Sequence, residues 1–449
     1  MKNWRIILKL PLVIYKGGVK IFTPPCTLSA SRCYNGSMKR WLLPLVTTKR
    51  LGSDLLEALL IAAGFSAFLY LAHWGYTFDL FNTVAGVAAI WGLLTRGRRT
   101  VVLAGFFIGL LWFYWVGFSF RYYGMGWAIP FVSLGFALGY ALIFGTMALT
   151  KRVWLRAFIL FGIGFFEPFD FNWMLPELLF VHSWLGVETW QFALLLGSIT
   201  LFASTLKPWR YASIVLLLGA VDYGGNIPKA LPPLSIKLVS ASLPQEAKWV
   251  PANRDAIVET NFRAIEAAAA EGYDLVILHE SAFPLFLNRH ADLMERLRTI
   301  SRRIAIVTGG LYYEGGQNYN VTYLFDRGRM QVAKKMVLVP FGEYIPLPAF
   351  LHKIVNDLFF DGAPDYIGAD EPTTLTIGGV PFRNAVCYEA TCPELFEGEP
   401  KYMIAISNNA WFTPSVESTL QRLLMEYFSK RHGTVIFHAA NMAGTGVIR

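Results

Sequence analysis

The stretch P-F-R-N-A-V-C-Y-E-A-T-C-P, Pro381 to Pro393, decides how the second half of the chain folds. Its residues Phe382 to Val386 predict a short strand, and Pro393 is typical of the first turn of a helix. Cys387 therefore falls where a strand ends and the chain turns, at the edge of a sheet. A thiol there is a nucleophile if a neighbour takes its proton or lowers its pKa. Free cysteine is also commonly a buried apolar side chain. Whether Cys387 is a nucleophile therefore depends on other stretches of the sequence.

Two other segments place polar side chains at the ends of predicted strands. In Y-D-L-V-I-L-H-E, Glu280 directly follows an apolar strand. In K-K-M-V-L-V-P-F-G-E-Y, Lys335 precedes an apolar segment and Glu343 follows a Pro-Phe-Gly turn. A single charged residue in such a position usually marks only the place where a strand reaches solvent. Together with the thiol, however, a carboxylate and an ammonium are the parts of a nucleophilic acyl-transfer site.

The composition divides the chain into a membrane half and a more polar half. Of the 449 residues, 54% are hydrophobic and only 16% are charged, against about 25% charged in soluble proteins. The net charge of +9 comes from short clusters between apolar runs. Because no basic helix or aromatic-spaced stripe is present, the sequence does not indicate nucleic-acid binding.

Residues 51–223 predict a transmembrane domain with about seven helices, and residues 1–50 form a basic segment of unknown role. The predicted spans are Asp54–Leu71, Phe78–Leu94, Val101–Phe120, Trp127–Leu149, Val153–Phe169, Leu185–Leu206 and Tyr211–Tyr223. Aromatic segments at 112–115 and 166–173 predict anchoring in the headgroup region.

The basic clusters predict the orientation of these spans. They precede the first span and follow the second, fourth and sixth, and cytoplasmic loops are enriched in Lys and Arg. Seven spans that start inside end outside, so everything after residue 224 is expected on the far side of the membrane. In a bacterium this is the periplasmic side of the inner membrane, where no ATP is supplied.

Residues 224–234 are rich in proline and glycine and predict a linker, and residues 235–449 predict one layered α/β domain. Strands are predicted at Ser235–Ser240, Asp274–His279, Ile304–Thr308, Tyr319–Phe325, Met330–Ala333, Thr373–Thr376, Phe382–Val386, Tyr402–Ser407 and Val435–Ala439. Helices are predicted at Asn253–Glu271, Ala291–Arg302 and Ser418–Arg431.

The four cysteines, Cys26, Cys33, Cys387 and Cys392, form neither a C-x-x-C pair nor a zinc ligand set with histidines. The sequence therefore indicates no disulfide framework, no metal site and no cofactor.

Four stretches resemble the nitrilase (carbon–nitrogen hydrolase) superfamily. They are H-E-S-A-F-P from His279, K-M-V-L-V-P-F-G-E-Y-I-P from Lys335, A-V-C-Y-E from Ala385 and I-S-N-N-A-W-F from Ile406. Within that superfamily the chain, over roughly residues 54–449, resembles the apolipoprotein N-acyltransferase family. The resemblance implies an αββα sandwich attached to the membrane helices.

The resemblance also implies roles for individual residues. Cys387 matches the nucleophile, Glu280 the general base and Lys335 the cation that stabilises the tetrahedral intermediate. Cys392 matches no functional position and is expected to be structural.

Four further residues match supporting positions of the family. Glu343 matches a second acid, and Tyr388 and Glu389 match residues that flank the nucleophile. Trp249, at the end of L-V-S-A-S-L-P-Q-E-A-K-W, matches a loop tryptophan near the substrate path.

By this resemblance the enzyme moves an acyl chain from a membrane phospholipid to the N-terminal amine of a diacylglyceryl-cysteine lipoprotein, through a Cys387 thioester. Two alternatives remain open. One is a membrane-tethered nitrilase-type amidase that passes the acyl group to water. The other is a non-catalytic scaffold that binds lipoproteins. The intact Glu280, Lys335 and Cys387 argue against the scaffold.

Two features depart from the family pattern. The chain stops at Arg449, which leads us to expect that the usual closing strands and last transmembrane helix are missing. Residues 1–50 match no part of the family.

Overall fold

The computed structural model of the chain describes residues 51–171, 173–203, 207–224, 229–359 and 365–449. The predicted basic segment 1–50, with Cys26 and Cys33, and residues 225–228 of the predicted linker lie outside this described part.

The first half is a group of helices joined by short loops, and each predicted span coincides with one of them. The helices are α1 (Leu51–His73), α2 (Asp79–Thr95), α3 (Arg98–Phe113), α4 (Ile129–Gly145), α5 (Val153–Ile163), α6 (Thr189–Phe202) and α7 (Lys207–Gly219).

Two of the described helical stretches, Leu51–His73 and Gly126–Leu149, are long and apolar enough to cross a bilayer. A third crossing results if Arg98–Phe113 and Val116–Tyr123 act as one span across their 49° bend. The other apolar helices in the described chain are 10–17 residues long. The chain is therefore a membrane protein, while the crossing of all seven helices stays a prediction.

Glycines let α3 and α4 pack closely. A Cβ on Gly105 would lie 2.6 Å from the Cβ of Phe144, and one on Gly109 would lie 2.6 Å from the Cβ of Tyr140. Small residues at a helix crossing allow backbones to approach where lipid removes the hydrophobic driving force between helices.

The second half contains two β-sheets. The strands of the first are β1 (Ile236–Leu238), β2 (Leu275–Ile277), β3 (Phe283–Phe286), β4 (Ala305–Glu314), β5 (Gln317–Asp326) and β6 (Arg329–Lys334). Their order is β1-β2-β4-β5-β6, with β3 paired to β4. The strands of the second are β7 (Thr374–Ile377), β8 (Val380–Val386), β9 (Tyr402–Asn408), β10 (Val435–Asn441) and β11 (Gly446–Ile448), in the order β11-β10-β9-β8-β7.

The helices of this half are α8 (Gln245–Lys248), α9 (Arg254–Ala270), α10 (Ala291–Ile300), α11 (Ala349–Phe359) and α12 (Glu417–His432). The inner faces of the sheets meet in one core, which includes Ile277 from the first and Ile406 from the second. On the outer side of the first sheet, α9 contributes Phe262 to a separate core. On the outer side of the second, α12 contributes Leu424. This arrangement is the predicted αββα sandwich.

Every strand predicted in this half is present with shifted ends. Four further elements are not predicted from the sequence: β3, β11, α8 and α11. Pro284 interrupts the strand signal of β3, which is tolerated because β3 pairs only with β4 at the margin of its sheet. The helix expected at Pro393 is only a short 3₁₀ turn, Pro393–Phe396.

The prediction that the aromatic segments anchor in the headgroup region is wrong for several of their rings. Trp112, Trp115 and Trp173 are all buried. Trp115 packs against Trp173, with ring centroids 5.4 Å apart, in a core that also contains side chains of the second half. Trp115 also contacts Phe412, and Trp173 contacts Tyr388. These two rings therefore pack the helices against the sandwich, where each buries a large apolar area.

Candidate active site

Cys387 lies immediately after β8, as the sequence predicts, and begins a 3₁₀ turn at Cys387–Thr391. Its φ of 57° is in the left-handed region, which is costly for a residue with a Cβ. The half-buried thiol is thereby turned out of the strand. Burial raises the pKa of Cys387; the Glu280 charge raises it further, and the Lys335 charge opposes both. A resting thiol of this kind needs a base to become a thiolate.

Glu280 follows β2 and is buried. The Nδ2 of Asn320, on β5, donates to its Oε1 at 2.7 Å. Beneath it, β4 carries Gly309, where a Cβ would lie 2.7 Å from the Cα of Glu280. Glycine is required at 309 because the two backbones approach so closely.

Lys335 directly follows β6, and its side chain is only 1% exposed. Its Nζ lies 2.6 Å from Oε2 of Glu343. Burial alone would lower the pKa of Lys335, but the Glu343 and Glu280 carboxylates outweigh it and hold the pKa above its ordinary value. Lys335 is therefore a permanent cation whose charge also reaches Cys387.

Glu343 is oriented by two further donors. The main-chain N–H of Val339 donates to its Oε2 at 2.8 Å. The Nδ2 of Asn320 lies 3.0 Å from its Oε1, so Asn320 joins the Glu280 and Glu343 carboxylates. No sequence motif marks Asn320.

Glu389 anchors the turn after the nucleophile. It is fully buried and accepts main-chain N–H bonds from Met336 at 2.5 Å, Val337 at 3.0 Å and Val386 at 2.7 Å. Burial raises the pKa of Glu389 to about 7, with the Lys335 charge and these three donors opposing. The carboxyl group thus ties the Cys387 turn to the segment that follows Lys335.

Tyr388 connects the same turn to the membrane half. Its hydroxyl donates to the main-chain oxygen of Asp170 at 2.8 Å. Its ring stacks on Phe171 with centroids 6.0 Å apart and an interplanar angle of 10°. The nucleophile's turn is therefore held against a loop between membrane helices.

Helix α12 also borders the thiol. The Nε2 of Gln421 lies 3.8 Å from the Cys387 sulfur, and its Oε1 accepts from Asn409 at 3.2 Å. Cys392 is buried, and its sulfur lies 3.4 Å from the main-chain oxygen of Tyr388, in keeping with a structural residue.

Trp249 directly follows α8, and its side chain is exposed. Its indole is on the surface, unlike the buried Glu280 and Lys335. Within the described ranges, no group of three His, Cys, Asp or Glu residues is arranged to hold a metal ion.

The chain is similar to known protein families and to individual proteins along most of its length. Residues 53–223 match the apolipoprotein N-acyltransferase integral membrane domain, and residues 240–445 match the carbon-nitrogen hydrolase domain. An apolipoprotein N-acyltransferase from Wolinella succinogenes is 42% identical, with 89% of this chain and 96% of that protein covered. One from Helicobacter hepaticus is 34% identical over 82% of this chain and 94% of its own length, and one from Helicobacter pylori is 34% identical over 79% and 84%. With this identity over almost the full length of the relatives and with both domains matched, the chain belongs to the apolipoprotein N-acyltransferase family.

Proposed function

We propose that this enzyme transfers an acyl chain from a membrane phospholipid to the N-terminal amine of a diacylglyceryl-cysteine lipoprotein. The observation that carries the proposal is the buried cluster of Glu280, Lys335, Glu343 and Asn320 around the Cys387 turn, built on a domain packed against membrane helices. The names of the relatives support two parts of the proposal, the lipoprotein acceptor and the acyl transfer.

The first half-reaction forms a thioester. Glu280 takes the proton of Cys387, and the sulfur attacks the ester carbonyl of the phospholipid. The Lys335 ammonium stabilises the negative charge that develops on the carbonyl oxygen. The tetrahedral intermediate collapses with cleavage of the ester C–O bond, and the lysophospholipid leaves with the proton held by Glu280.

The second half-reaction forms the amide. The neutral amine of the acceptor attacks the thioester carbonyl, and Glu280 takes a proton from the nitrogen. Lys335 again faces the oxyanion. Cleavage of the C–S bond returns the acyl amide and a thiolate, which recovers the proton from Glu280.

Lys335 suits this role because its charge is fixed. The Glu343 carboxylate keeps it ionised throughout the cycle, so no protonation step precedes oxyanion stabilisation. We assign Glu343, Glu389 and Tyr388 to holding Lys335 and the Cys387 turn, and Trp249 to the substrate path.

We further propose that the protein lies in the bacterial inner membrane with residues 235–449 on the periplasmic side. The clusters of Lys and Arg between alternate apolar helices support this orientation. A thioester carries enough free energy to form an amide, so the reaction does not depend on a supply of ATP.

The experiment uses detergent-purified full-length enzyme, a phospholipid donor and a synthetic diacylglyceryl-cysteine peptide in ¹⁸O-labelled water. Mass spectrometry follows the products. We expect N-acylated peptide and lysophospholipid in equal amounts. Labelled fatty acid in place of acylated peptide would indicate an amidase-like hydrolase. Neither product from a folded sample would contradict both activities.

A further inference from the structure

One fully buried lysine has no part in the reaction described above. Lys248 is the last residue of α8 and is 1% exposed. Burying an ammonium is costly unless it is hydrogen-bonded and faces negative charge. Lys248 directly precedes Trp249 in the chain.

The Lys248 ammonium donates to the main-chain oxygen of Glu280 at 2.9 Å. The Nδ1 of His279 lies 2.9 Å from the same oxygen. The next residue, Ser281, has a φ of 48°, so the backbone around the base is in a strained conformation. Such a conformation persists only where its surroundings hold it.

Three groups contact this segment and hold it in place. Gly309 permits β4 to pass against the Cα of Glu280, and Asn320 orients the carboxylate. Lys248 fixes the peptide carbonyl between them. A base must be held within about 0.5 Å of the position from which it takes the proton.

Lys248 also brings a second positive charge into the site. Burial lowers its pKa to about 8, and the charges of Glu280 and Cys387 oppose that fall. The titratable groups that face the thiol are thus Glu280, Lys335 and Glu417, together with Lys248.

We infer that Lys248 is a positioning residue of this site: its ammonium fixes the main chain of the base Glu280 and adds to the positive charge that favours the Cys387 thiolate. Lys248 also connects the base Glu280 to the segment that leads to the exposed Trp249. This inference rests on the proposed function for the role of Glu280, but the placement of Lys248 can be tested without acyl transfer.

The test compares Lys248→Met with wild type in two assays. The first is alkylation of Cys387 by iodoacetamide between pH 6 and 10, with the modified peptide identified by mass spectrometry. We expect the midpoint to lie about one pH unit higher in the variant. The second is acyl transfer, where we expect kcat to fall about tenfold or more with little change in KM for the donor, since a base contributes about 10²–10⁴-fold when well placed.

Lys237→Met serves as the matched control because Lys237 is a surface lysine paired with Glu271. We expect Lys237→Met to match wild type in both Cys387 alkylation and acyl transfer. Lys248→Gln keeps an N–H donor without the charge, so it should retain more transfer activity than Lys248→Met while showing the raised alkylation midpoint.

An unchanged midpoint and an unchanged kcat in a folded Lys248→Met or Lys248→Gln protein would overturn the inference. A lower melting temperature with both readouts intact would also overturn it, since that is the signature of a lysine that only supports the fold. Failure of the proposed function is distinguishable, because wild type would then alkylate normally at Cys387 and transfer nothing.

Discussion

The Nζ of Lys335 lies 2.6 Å from the Oε2 of Glu343, and the lysine side chain is 1% exposed. A buried charge that loses its partner is strongly destabilising, typically by about 3–5 kcal/mol. The pair therefore fixes both the charge and the position of the cation that faces Cys387.

Replacing Glu343 by Gln should reduce both activity and stability. The variant keeps the size of the side chain but leaves the Lys335 ammonium without its closest anion. We expect kcat to fall about 10²-fold or more, together with a lower melting temperature. Glu314→Gln is the control, because Glu314 pairs with the neighbouring but more exposed Lys334 at 2.7 Å. Similar small losses in both variants would show that the buried pair has no special role.

Gly309→Ala should displace the base Glu280 without removing any charged side chain. Its Cβ would lie 2.5 Å from the N of Ser281 and 2.7 Å from the Cα of Glu280, so the Glu280 segment must shift. A misplacement of about 1 Å costs about 10²-fold in rate, and steady-state kinetics should place the loss in kcat. At the adjacent Gly310, a Cβ would lie 3.3 Å from the nearest side-chain atom, on Tyr323. Gly310→Ala should therefore be much milder, and equal activities for the two variants would contradict the placement of Glu280.

Glu417→Gln should change how stability depends on pH. Burial raises the pKa of Glu417 to about 8 from its ordinary 4.5. Between these two values the folded chain keeps a proton that the unfolded chain releases, so stability falls as the pH rises. The variant lacks this proton. Its melting temperature should match wild type near pH 4.5 and exceed it above pH 8.

The measurement is a series of melting temperatures from pH 4.5 to 9, with the exposed Glu295→Gln as control. The same variant should alkylate more readily at Cys387 above pH 8, because an ionised Glu417 raises the pKa of that thiol. If the melting temperatures of wild type and Glu417→Gln changed with pH in the same way, Glu417 would not be a neutral buried carboxyl in the folded protein.

Tyr388→Phe should loosen the connection between the nucleophile's turn and the membrane half. It removes the 2.8 Å bond to the main-chain oxygen of Asp170 but keeps the stacking on Phe171. A hydrogen bond of this type contributes about 1 kcal/mol. We expect a small fall in melting temperature and a several-fold loss of kcat, whereas Tyr388→Leu, which also removes the stacking, should lose more. Tyr76→Phe, on an exposed ring, is the control, and no difference among the three variants would argue against the connection.

The sequence predicted those parts of the site that depend on local order along the chain. Cys387 at the end of β8 follows from a strand signal before a turn, and a layered α/β domain follows from alternating strands and helices. The αββα sandwich is implied by the family resemblance. The motifs around Glu280, Lys335 and Glu343 predict that these residues belong to one site.

The parts that escaped prediction depend on tertiary contacts. Asn320 and Gln421 lie in no motif, and Lys248 lies in the stretch that ends at Trp249 without being singled out there. The importance of these three residues appears only in the tertiary contacts of β5, α12 and α8. A buried ammonium such as Lys248 is indistinguishable in sequence from a surface lysine. The sequence predicts Trp173 at the membrane interface, because composition does not reveal that its ring packs against Tyr388 of the sandwich.

The most direct test of the central claim is intact-protein mass spectrometry after incubation of the purified enzyme with phospholipid. The account predicts a mass gain of one acyl chain on wild type, none on Cys387→Ser, and loss of the adduct when a diacylglyceryl-cysteine peptide is added. An adduct that persists in Cys387→Ser, or one that the peptide fails to clear, would contradict transfer through a Cys387 thioester.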